Sequence, residues 1–70
     1  MRVDLYGQRI EVIRESSEWV VFYLGVDGKR RRAEDIVIPA TLNKSDIVAY
    51  LDDLFHELAT PANPRVRELG

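Results

Sequence analysis

Trp19-Val20-Val21-Phe22-Tyr23-Leu24 is an unbroken apolar run, with Glu18 before it and Gly25 after it. Aromatic and β-branched residues dominate it, which suits a pleated, packed surface better than a helix this short. The run therefore reads as a strand. Because it offers apolar side chains to both faces of a sheet, it belongs inside the sheet, not at an unprotected edge.

Its neighbours supply partners. Val3 and Leu5 alternate with charged residues, and Ile10 and Val12 repeat the pattern after Gly7-Gln8. Glycine opening a two-residue loop is a type II′ hairpin signal. That loop would pair Leu5 with Ile10, Val3 with Val12 and, on the other face, Asp4 with Glu11. A second loop at Ser16-Ser17 pairs Val12 with Val21 and Ile10 with Tyr23, continuing the same apolar face. Ile13, Val20, Phe22 and Leu24 then fall on the opposite face. Asp27-Gly28 marks a third reversal, placing Lys29-Arg30-Arg31-Arg32 on a short fourth segment where positive charge resists edge-to-edge pairing. Ile36-Val37-Ile38, stopped by Pro39, is either a last strand or an extended connector.

Beyond Pro39 the period changes. Ile47, Val48, Leu51, Leu54, Phe55 and Leu58 recur at steps of three and four, predicting an amphipathic helix from about Ser45 to Ala59. Asn43 or Ser45 can cap it, and Thr60-Pro61 stops it. The segment after Pro61 reads as surface-wrapping or mobile, with Val66 and Leu69 available to the second sheet face. The expected fold class is α+β: an antiparallel meander of three to four strands, with one C-terminal amphipathic helix packed on one face. Residues 1–60 form a single β-β-β-(β)-α domain, and residues 61–70 a Pro-containing tail.

Seventy residues suffice for one small domain in which folding terms nearly cancel, so a partner or self-association would matter energetically. Absence of cysteine removes disulfides, thiolate zinc sites and cysteine nucleophiles, and favours a reducing cytoplasm. The expectation is a soluble cytoplasmic chain with no membrane contact. Net charge is −2, but residues 35–60 carry Lys44 alone against Asp35, Asp46, Asp52, Asp53 and Glu57. An acidic helix should therefore lie against a mildly basic sheet.

Candidate chemistry is sparse. His56, one helical turn from Asp52 and beside Asp53 and Glu57, fits a surface helix side better than a metal or acid-base site. The serines and threonines fit turns and caps, since no second histidine supports them as nucleophiles. No catalytic residue, metal, cofactor or small-molecule substrate is implied, and the chain reads as a non-enzyme. Lys29, Arg30, Arg31 and Arg32, with Tyr23 adjacent, form a candidate contact for nucleic acid or an acidic partner. The competing reading is a solvated edge whose charges pair with Glu34, Asp35 or the helix.

The order Phe22-Tyr23, Gly28-Lys29-Arg30-Arg31-Arg32, Ile36-Val37-Ile38-Pro39, helix is similar to a family of short uncharacterised bacterial proteins of unknown function, over nearly the whole chain. From Trp19 to Leu51 it also faintly resembles the arm-type DNA-binding domain of tyrosine integrases. That second resemblance implies sheet-to-DNA contact. The leading expectation is a protein-interaction module, self-associating through Ile13, Val20, Phe22 and Leu24 on the second apolar face. The alternative is a nucleic-acid-binding module using the basic hairpin.

Overall fold

The computed structural model describes residues 1–69. Strands β1 (Arg2–Leu5), β2 (Gln8–Glu15), β3 (Glu18–Leu24) and β4 (Arg30–Arg32) form an antiparallel meander, followed by helix α1 (Ile47–Phe55) and strand β5 (Arg67–Glu68). The sheet order is β4-β3-β2-β1-β5. The class is α+β as expected, with five strands in place of three to four. The Trp19 run lies inside the sheet, between β2 and β4.

The first hairpin turns one residue earlier than glycine placement suggests. Tyr6 and Gly7 both have positive φ, 52° and 94°, which makes a type I′ turn with glycine second. Leu5 consequently pairs with Gln8, Val3 with Ile10, Asp4 with Arg9 and Arg2 with Glu11. Because the shift is by an even number of residues, every side chain keeps its face. The expected Asp4–Glu11 opposition is replaced by two opposite-charge pairs. Two further contacts hold the turn. Asp4 Oδ1 accepts the Gly7 N–H at 2.9 Å, and the Tyr6 hydroxyl donates to the Asp52 carboxylate on α1. The second hairpin has the expected register, Ile10 with Tyr23 and Val12 with Val21. Its loop places Ser16 and Ser17 at φ 50° and 66°, a left-handed conformation unfavourable for residues other than glycine.

One face of the sheet carries the core. Val3, Ile10, Val12, Val21, Ile47 and Leu51 are fully buried. A helix of nine residues is marginal alone, so α1 is held by Ile47 and Leu51, which seat on this face one turn apart. The Asn43 side chain makes no cap hydrogen bond. A 3-10 turn at Lys44–Asp46 leads into the helix and another at His56–Leu58 ends it, so the coiled stretch matches the expected span in total.

Residues 33–43 form a connector, not a strand. Ile36 and Ile38 point into the core while Val37 between them is 71% exposed. Two aromatic side chains pin the connector: Trp19 Nε1–H donates to the Leu42 carbonyl at 2.9 Å, and the Tyr50 hydroxyl to that of Val37 at 3.0 Å.

Beyond Pro61 the chain does not cover the second face with Val66. Val66 is 4% exposed within the helix-side core, and Arg67–Glu68 pairs antiparallel with β1. Leu69 falls on the second-face side of β5 and is 44% exposed. The short polar sequence carries no strand signal because β5 derives its pairing from the open edge of β1.

Candidate functional site

Strand alternation decides where each candidate side chain lies. Trp19, Val21 and Tyr23 face the helix, while Val20, Phe22 and Leu24 face away. Ile13 pairs with Val20 across the β2–β3 ladder. Together these four form an apolar patch on the sheet face opposite α1. Val20 is buried, and Ile13, Phe22 and Leu24 are half-buried.

The basic cluster does not lie on one face of the sheet. Arg32 pairs with Phe22, Arg31 with Tyr23 and Arg30 with Leu24. Arg30 and Arg32 therefore stand on the open face, Arg31 on the helix side, and Lys29 in the loop, where its N–H donates to Asp27 Oδ1. Gly28 takes φ 82° in this loop, satisfying the reversal that Asp27-Gly28 implies.

The arginines settle on aromatic rings. Arg30 lies over Phe22, with 4.3 Å from guanidinium carbon to ring centroid, and its Nη1 donates to Glu11 Oε1 at 2.9 Å. Arg31 lies over Tyr23 at 5.3 Å and Arg14 over Trp19 at 4.6 Å. Each contact covers a ring with a planar cation that stays hydrated at its rim. Arg30 in particular roofs part of the open apolar patch. Its carboxylate partner is Glu11, not the expected Glu34, Asp35 or helix.

Around the patch the charges are sorted by position. At the β2–β3 turn, the open-face pair is Glu15 opposite Glu18. At the other end of the strands Arg9, paired with Asp4, shares the face with Arg30, and Arg67 Nη2 donates to Asp4 Oδ2 at 2.9 Å. The apolar patch thus has an acidic end and an arginine-rich end. Glu15, Glu18 and Arg9 belong to this face and were not among the expected contact residues. Their alternation with Ile13 and Val20 is the signal that identifies them.

On the helix side, the Tyr23 hydroxyl donates to Asp35 Oδ2 at 2.7 Å. Loss of solvent around it, then the Asp35 bond, raise its pKa above the ordinary tyrosine value, with Arg31 opposing. An open groove of about 620 Å³ lies here, lined by Leu5, Gln8, Tyr23, Arg31, Asp35 and Leu58 among others. Desolvation and then the bond to Asp52 push the Tyr6 pKa up to about 12. A second groove, about 370 Å³, borders Trp19 and the connector near Pro39.

His56 is exposed, with Nδ1 3.0 Å from the Asp53 carbonyl, while Asp52 is engaged by Tyr6. Among the described residues no group of three or more His, Cys, Asp or Glu is placed to hold a metal ion. No helix there is long and apolar enough to cross a membrane.

The family described as a domain of unknown function, DUF7661, matches residues 1–70. No curated protein and no solved structure matches the chain.

Proposed function

The chain belongs to the DUF7661 family, and we propose that it is a small, non-catalytic, cytoplasmic protein-interaction module whose contact surface is the open sheet face. The carrying observation is the patch Ile13, Val20, Phe22 and Leu24 on the face opposite α1, with charges of opposite sign gathered at its two ends.

The rival reading, nucleic-acid contact through Lys29, Arg30, Arg31 and Arg32 with Tyr23, draws on the likeness to integrase arm-type domains. It needs several cations free on one surface. Alternation divides them between two faces, and Arg30 is committed to Glu11 and Phe22. The interaction reading uses the same residues without that conflict.

The test places a photo-crosslinking benzoyl-phenylalanine at Leu24 on the open face or at Asp53 on the helix, in cells expressing the protein. Protein adducts at 24 and none at 53 are the expected result. Adducts at 53 alone, or nucleic-acid adducts at 24, reject the assignment. Anisotropy of labelled oligonucleotides supplies a second arm. Binding that persists near 150 mM salt and is lost in Arg32→Ala would transfer the assignment to nucleic acid.

A further inference from the structure

We infer that the occupant of the open face is a second copy of this chain, packed face to face with its strands antiparallel to the first. The inference rests on the interaction reading above and adds the partner and its orientation. Three rows of side chains cross the face over β2 and β3. Glu15 and Glu18 form the first, Ile13 and Val20 the second, and Glu11 and Phe22 the third. Extending the ladder by one pair brings Arg9 beside Leu24, with Arg30 on the outer side of Leu24.

Two symmetric arrangements superpose β3 of one copy on β3 of another, and the charges distinguish them. With strands parallel, β2 falls over β4, so that Glu18 meets Glu18 of the second copy and Arg9 meets Arg30. With strands antiparallel, a two-fold axis crosses the strands between Val20 and Phe22. Glu15 then lies over Arg9 of the second copy, and Glu18 lies over Leu24 with Arg9 and Arg30 on either side. Val20 meets Phe22 near the axis, and Ile13 lies over Glu11, whose carboxylate Arg30 neutralises. Both ends are complementary and the apolar residues are central, which is the anatomy of an interface with a polar rim.

The size of the face sets the strength. Strand spacing of ~4.8 Å and a rise of ~3.3 Å per residue give roughly 350 Å² per copy over the strand residues of β4, β3, β2 and β1. The total of about 700 Å² is small for a specific complex and fits a weak, reversible dimer. Arg30 crosses Phe22 to reach Glu11, so it shifts to the edge of the ring as Val20 of the second copy arrives, where Glu18 of that copy is a second carboxylate for it.

The absence of cysteine in the natural sequence makes the orientation directly readable. Ser17→Cys and Lys29→Cys mark the two ends of the face. The variants are mixed, treated with a short bis-maleimide and followed alongside sedimentation of unlabelled protein from about 10 μM to 1 mM. A 17-to-29 adduct, absent in the Phe22→Glu background, is expected. The Glu15→Arg, Glu18→Arg double variant should weaken association at least tenfold, with circular dichroism unchanged. Adducts confined to 17-to-17 and 29-to-29 overturn the antiparallel arrangement while leaving the face intact as a contact surface. A monomer at 1 mM overturns self-pairing, and the crosslinks from Leu24 then identify a different protein. A dimer that survives Phe22→Glu removes both readings.

Discussion

Val66→Ala tests whether the segment after Pro64 belongs to the core. Val66 is 4% exposed and packs in the same cluster as Val3, Val12, Ile47 and Leu51. The substitution deletes two methyl groups from that cluster, at about 0.8 kcal/mol each in transfer free energy. The void left behind adds about 24 cal/mol per Å³ to whatever extent the site fails to collapse. A residual space of ~40 Å³ contributes ~1 kcal/mol, bringing the loss to ~2–3 kcal/mol. For a domain this small, 1 kcal/mol corresponds to roughly 4–8 °C in Tm, so the expected drop is about 10–20 °C. Circular dichroism melts and urea titrations at fixed concentration provide the readout, with Leu69→Ala, at a 44% exposed site, as control. Leu69→Ala should stay within ~0.5 kcal/mol. A Val66→Ala loss below that same figure would mean that the segment contributes nothing to the core, and the five-stranded sheet would be refuted with it.

Ser16→Asn with Ser17→Gly should stabilise the chain by ~1–2 kcal/mol in urea, because both serines occupy the left-handed region that Asn-Gly adopts more easily. Asp4→Ala removes the acceptor for both Gly7 N–H and Arg67 and should cost more than Arg67→Ala, which loses only a half-exposed ion pair worth under ~1 kcal/mol. The raised pKa values of Tyr6 and Tyr23 make their stabilisation fully present below the unfolded tyrosine value of 10.0; for Tyr6 it disappears as pH climbs to about 12. Denaturant stability should accordingly fall over that alkaline window, and Tyr6→Phe should flatten the fall; an unchanged slope would discount the Asp52 contact. Trp19→Phe, which keeps an aromatic side chain but loses the N–H to Leu42 and part of the indole's packing, should free the connector, seen as faster amide exchange around Leu42 than around Val12.

Periodicity made most of this molecule legible. The Trp19 run, the Ser16-Ser17 turn and the helix stripe each carry a local pattern whose meaning does not depend on distant partners. The first hairpin was legible in its faces but not in its register. The choice between Tyr6-Gly7 and Gly7-Gln8 was settled by Asp4–Arg9 and Arg2–Glu11 pairing and by Asp52, 46 positions from Tyr6. The strand β5 was illegible for a related reason: Arg67 and Glu68 are strand residues only because β1 presents an unpaired edge. At the candidate site, the four apolar residues were readable from parity. The division of Lys29 to Arg32 between two faces follows from the same parity, but their stacking on Phe22 and Tyr23 depends on side-chain geometry across strands.

The two-residue strand β5 also governs how the molecule opens. It joins β1 through Arg67, whose ion pair spans 63 positions to Asp4, whereas β1 is tied to β2 through a two-residue turn. Partial opening will therefore detach β5 first, withdrawing Val66 from the core while the meander persists. In that transient form β1 displays a bare row of peptide donors and acceptors beside an unfilled cavity. Such an edge templates the addition of further chains. Fibril or amorphous deposition should then follow the frequency of β5 release, so that variants with equal global stability differ in shelf life according to how firmly this short segment is held.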